Sequence, residues 1–186
     1  MTESDLATEQ LSEVVRLCLA EGKSVEIDGL GIFVPDEQNG FRFQPSVRPQ
    51  VFLAYVLEDA PIAERLFDAL EELGFSPWMD RRKLMPGQNW PRALENAIAS
   101  SDFFLPCFSR NSVGKKGGFQ AEVRFALECA RQIPLDDIYI IPVRLDACPV
   151  PAAIQRELQY IDLFPDWSRG LRRVAGIMRR QAARRR

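Results

Sequence analysis

The chain has 186 residues, 46% hydrophobic and 27% charged, with 24 Lys and Arg against 26 Asp and Glu for a formal net charge of −2. That is enough for one full core and a small appendage, and it gives no global pull toward nucleic acid or membrane surfaces. Histidine is absent, which excludes Ser–His and Cys–His nucleophilic pairs and removes the commonest zinc ligand, so any catalysis rests on carboxylates, hydroxyls, backbone dipoles or Lys and Arg.

In chain order, Leu11, Val14, Val15, Cys18 and Leu19 recur at helical spacing. They predict a helix over 8–21 that stops at Gly22. Residues 24–28 alternate, Gly29 and Gly31 mark a turn, and 32–34 read as a second strand. Asn39 and Gly40 signal a hairpin into 41–43. Residues 1–46 are therefore expected to form a small α+β accessory domain of one helix and an antiparallel sheet. Pro45 and Pro49 bracket a linker at 47–49.

Beyond the linker, strands are expected at 51–55, 75–79, 103–108, 139–144 and 160–163. They are rich in Phe, Ile, Val and Tyr, as strands covered on both faces require. Helices alternate with them at 61–73, 90–100, 119–131, near 151–156, and from 167 to about 178 or beyond. Ile62, Leu66, Ala69, Leu70 and Leu73 make one apolar face. The alternation predicts an α/β domain over 50–178, doubly wound around a flavodoxin-like five-stranded parallel sheet of order 2-1-3-4-5. Eight arginines fall between Arg169 and Arg186. Residues 179–186 read as an Arg-rich tail, either a solvated helix end or a contact for an anionic partner. Cys18, Cys107, Cys129 and Cys148 form no C-x-x-C pair and sit among apolar neighbours, the usage of reduced core thiols in a cytoplasmic protein. Residues 1–10 are acidic and polar, unlike a leader, and no apolar run approaches a membrane span.

In a sheet of this order, ligands collect beyond the carboxyl ends of the first and third strands. That selects Ala54, Tyr55, Glu58 and Asp59 after the first strand, and Ser109, Arg110, Asn111 and the run to Glu122 after the third. The loop from Asp80 to Trp90 leaves the second strand next door. Such a crevice holds one helix-borne carboxylate, aromatic rings, and the basic Arg81, Arg82 and Lys83. It lacks the Gly-x-Gly-x-x-Gly phosphate cradle of ordinary dinucleotide-binding domains. Taken alone, Glu122 reads first as an exposed first-turn acid favoured by the helix dipole. Trp78 and Trp90 read as packing residues beside the loop, and Lys115 and Lys116 as solvated.

One ordered set of motifs carries more. Residues 51–55, Asp59, then Trp78, Met79 and Asp80, then Leu84, Pro86, Gly87 and Trp90, are followed by Ser100–Asp102, 105–109, Glu122 with Ala126 and Leu127, and 141–143. Over residues 48–178 this set resembles bacterial TIR domains, the Toll/interleukin-1 receptor module. The resemblance implies a TIR fold and cleavage of NAD+ at the nicotinamide–ribose bond, with Glu122 catalytic. It implies substrate contacts from Ala54, Tyr55, Asp80, Lys83, Leu84, Gly87 and Phe119, with 80–87 as the loop that covers the pocket and makes TIR–TIR contacts. NAD+ enters as substrate; no cofactor and no metal are implied. Homo-oligomers or filaments through TIR–TIR contacts are expected, in a cytoplasmic anti-phage setting. Ala54 stands where the family has serine, and Gly118 where many catalytic members have tryptophan; Phe119 is the nearest ring. Hydrolysis to ADP-ribose and cyclisation through the adenine ring both remain open. So does the alternative of a non-catalytic TIR scaffold or mimic. Residues 1–46 faintly resemble half of an HU-type nucleoid protein, on Ala20–Gly22, Val25, Gly29–Phe33 and Pro45. Lacking the basic arm, they are expected to contact an activating partner or ligand, or a second copy, rather than nucleic acid. A nucleic-acid sensor using this segment and the arginine tail is a further alternative.

Overall fold

The structure, a computed structural model, describes residues 3–27, 31–36, 40–45, 48–83, 89–115 and 117–185. It divides into two units, Met1–Arg48 and Pro49–Arg186.

In the first unit, α1 (Glu3–Ala20) precedes β1 (Val25–Ile27), β2 (Gly31–Pro35) and β3 (Phe41–Pro45). The strands form an antiparallel sheet in the order β1-β2-β3, with Phe33 opposite Val25 and Phe43. The Phe33 ring lies 5.4 Å from Phe41 and 4.7 Å from Phe43, so aromatic pairs hold the sheet's register. The expected β2–β3 hairpin forms, although Asn39 of its turn lies outside the described residues.

In the second unit, β4 (Gln50–Ala54) runs through a 3-10 turn (Leu57–Asp59) into α2 (Ala60–Glu72). Then come β5 (Ser76–Trp78), α3 (Asp80–Lys83), α4 (Trp90–Ser100), β6 (Phe103–Phe108) and α5 (Arg110–Val113). They are followed by α6 (Gly118–Ala130), β7 (Val143–Arg144), α7 (Ala152–Glu157), β8 (Ile161–Asp162) and α8 (Trp167–Arg184). All neighbouring strands are parallel, in the order β5-β4-β6-β7-β8. This is the expected 2-1-3-4-5 arrangement. Because successive strand residues point to opposite faces, Val51, Leu53, Phe103 and Leu105 pack under α2 and α8, against Leu66, Leu70, Val174 and Met178. Phe52, Ala54, Phe104 and Phe108 pack under α4, α6 and α7, against Ile98, Phe119, Val123 and Ile154. Phe52 stacks between Trp78 at 4.8 Å and Phe104 at 5.5 Å.

The carboxyl-terminal helix forms where expected and takes in most of the segment read as a separate tail. Where a tail from residue 179 was expected, α8 continues to Arg184. Its arginine-rich composition hides an inward stripe of Val174, Ala175, Met178 and Gln181, all buried. Gln181 donates to Asp137 at 2.7 Å, and Arg185 to Asp137 at 3.1 Å and the Asp102 carbonyl at 3.2 Å. Arg179 donates to the Leu73 carbonyl at 3.0 Å. These arginines therefore bind the unit's own acceptors. Among the described residues no helix is long and apolar enough to cross a membrane, and no cluster of Cys, Asp and Glu is arranged to hold a metal ion.

Candidate active site

The carboxyl ends of β4 and β5 and the start of α6 converge on an open cleft of about 200 Å³. Tyr55, Val56 and Leu57 form one wall, Asp80 and Trp90 a second, and Lys115, Gly117, Gly118, Phe119 and Glu122 the third. Three locally determined turns bring these side chains together. β4 ends at Ala54, so Tyr55 leaves the sheet at its carboxyl edge. Asp80 opens α3 directly beyond β5, and its Oδ1 accepts from the Arg81 amide at 2.7 Å. Gly117, at φ 134 and ψ −150, takes a backbone conformation open to glycine and starts α6 without a side-chain cap. Glu122 sits one turn further on.

The electrostatics of the cleft are set by two carboxylates. The Tyr55 hydroxyl donates to Asp80 Oδ1 at 2.6 Å. Burial, and then this bond, raise the tyrosine above its usual range, so it stays a neutral donor. Glu122 is half-buried, and burial followed by the nearby charge of Asp80 pushes its pKa up from 4.5 to about 7. Phe119 supplies apolar surroundings beside it; the residue is buried and its ring meets Phe108 edge-on at 5.6 Å. A Cβ built on Gly118 would lie 4.0 Å from Glu122 Oε1, so the glycine leaves that side of the carboxylate bare. Two bridges tie the Tyr55 wall to the α5–α6 wall. Ser109 Oγ and Asn111 Nδ2 donate to the buried Asp59 carboxylate, the latter at 2.8 Å. Lys115 Nζ pairs with Glu58, which lowers the Glu58 pKa.

The unit with this cleft matches the TIR domain family over residues 51–175, two thirds of the chain. The chain belongs to the TIR domain family. A curated relative is the uncharacterised protein y4cD of Sinorhizobium fredii, 23% identical over 146 residues, which are 76% of this chain and 22% of that protein. The chain thus spans about a fifth of that relative's length. Among solved structures, the TIR domain of the Toll-related receptor TRR-2 of Hydra magnipapillata superposes with a TM-score of 0.54 at 22% identity, over 68% of this chain and 97% of that one. The TIR-STING receptor of C. gigas, solved with 2',3'-cGAMP, gives 0.55 at 21% identity, over 69% of this chain and 38% of that one. At these identities the structural likeness establishes the fold.

Of the site residues expected from sequence, the TIR cleft assembles Tyr55, Asp80, Phe119 and Glu122. Ala54 is not among its walls. It is fully buried in the layer under α4 and α6, because the strand's alternation turns residue 54 inward with Phe52. Lys83 ends α3 with its side chain outside the described atoms, and Leu84 and Gly87 lie outside the described residues. Trp90 corrects its packing assignment: it is 58% exposed and stands on the cleft rim. Lys115, expected to be solvated, is a wall residue held by Glu58. Sequence spacing missed both because their roles depend on partners from other segments.

Proposed function

We propose that this TIR unit cleaves NAD+ at the nicotinamide–ribose bond. The observation that carries the reading is Glu122: a helix-borne carboxylate in an open cleft, raised to a pKa near 7 by burial and the neighbouring Asp80, with an aromatic residue on each of the three walls. Nicotinamide departs as a neutral base when the C1'–N bond breaks and its electron pair moves to the ring nitrogen. No general acid is needed for that departure, which is why one carboxylate suffices where most glycosidases use two. Positive charge develops on the ribose, and ionised Glu122 stabilises it and accepts from ribose hydroxyls. Water then attacks C1', its proton leaves to Glu122 or solvent, and ADP-ribose results. Attack by the adenine ring gives a cyclic isomer instead. In this reading Tyr55 and Trp90 contact the nicotinamide ring, and the Asp80-bound hydroxyl of Tyr55 keeps its ring oriented. We place the reaction in the cytoplasm, as NAD depletion by self-associated copies in anti-phage defence.

The test is nicotinamide release from NAD+ by the purified chain across pH. The reading expects a rate that rises through pH of about 7 as Glu122 ionises and levels off above it. Glu122→Gln should lose about 10²–10³-fold, the usual cost of one such charge-stabilising group. Absence of release at every pH points instead to a TIR scaffold.

A further inference from the structure

We infer that the groove on the far side of the α6 start, walled by Lys115, Gly117, Gln120 and Arg124, holds the pyrophosphate and ADP half of the dinucleotide; this rests on the proposed NAD+ cleavage at Glu122. The first observation is size. At about 200 Å³, the Glu122 cleft falls below the roughly 300–1,000 Å³ that enclose a drug-sized ligand. A whole dinucleotide is larger than that space, so part of it extends beyond the cleft. An adjoining groove of about 460 Å³ offers that space, and the two share Lys115 and Gly117 as a common wall.

Helix geometry explains why α6 serves both. Gln120 and Arg124 stand four residues apart on one side of the helix, and Glu122 lies roughly 200° of rotation from Gln120, facing the other cleft. The ridge between the clefts is glycine. A Cβ at Gly117 would meet nothing within 4 Å, so the space over this backbone is open to a ligand passing from one side to the other.

Charge identifies the occupant. The described lining of the second groove contains two cations, Lys115 and Arg124, and no acid. Arg124 is exposed and makes no ion pair among the described residues, whereas Lys115 is held by Glu58 from the opposite wall. Glu58 is thus the anion already paired with the cation that both clefts share. A pyrophosphate arriving there takes its place on Lys115 and meets Arg124 beyond.

Two measurements test the subsite on the full chain: ADP binding at low salt, and cleavage of NAD+ beside nicotinamide riboside, which has no phosphate. Arg124→Ala is expected to weaken ADP about fivefold, with Arg124→Lys restoring most of it, as for a partly solvated charge pair. Glu58→Gln is expected to strengthen ADP about two- to threefold by releasing Lys115. In cleavage, Arg124→Ala should raise the KM for NAD+ at unchanged kcat and leave kcat/KM for the riboside unaltered. ADP that fails to bind the parent chain, ADP affinity indifferent to both substitutions, or equal losses on NAD+ and riboside would overturn the subsite. ADP binding with the stated pattern but without nicotinamide release would leave the subsite standing and remove the Glu122 chemistry.

Discussion

Glu122 is held in its raised range by two causes of unequal weight, burial first and Asp80 second. The linkage has a definite sign. A carboxylate whose folded pKa lies above its unfolded value binds its proton more tightly when folded, so stability falls as pH rises from 4.5 to about 7 and stays reduced above. At 1.36 kcal/mol per pKa unit this amounts to on the order of 3 kcal/mol. Glu122→Gln should therefore melt with the parent near pH 4.5 and several degrees above it at pH 8, read by thermal denaturation. Asp80→Asn removes the smaller cause and keeps an acceptor for Tyr55. It should move the midpoint of the pH–rate profile downward while leaving it above 4.5, because burial remains. The place of the Glu122 carboxylate at the cleft was legible in sequence, since it is the helix-borne acid after the third strand. Its pKa was not, because Asp80 reaches it from the next strand's exit and burial is a property of the assembled cleft.

At the scale of elements, strand and helix order was legible because each strand's apolar run and each helix's apolar face are local signals. The parallel sheet followed from the alternation, and its order from the small size of the domain, which fits the flavodoxin-like arrangement. The ends were less legible. The end of the last helix reads as a basic tail because arginine dominates its composition, while five buried residues of the helix carry its packing. Its placement depends on Gly170, where an added Cβ would stand 2.4 Å from the Asp162 carbonyl oxygen and 2.9 Å from the Leu163 Cα. Both are backbone atoms of the β8 region and cannot swing away. Gly170→Ala should destabilise the TIR unit by about 2–3 kcal/mol, as overpacking against fixed atoms does, seen as an earlier midpoint in a urea titration. Ala54 shows the opposite limit. Position in the motif suggested a substrate contact, but the pleat sends its methyl into the core.

For the whole molecule, the division at Arg48 and Pro49 separates a helix and three-stranded sheet from the TIR unit. The smaller unit exposes Val14, Leu17 and Phe41, each more than half accessible, and a unit of its size supplies little core of its own. Nicotinamide release by the full chain across a wide range of protein concentration, beside Glu122→Gln, tests the central claim most directly. The account predicts release that rises more steeply than chain concentration, as self-association of copies requires, and that falls about 10²–10³-fold in the variant at every concentration. Release that persists undiminished in Glu122→Gln, or none from the parent even at the highest concentration, would contradict it.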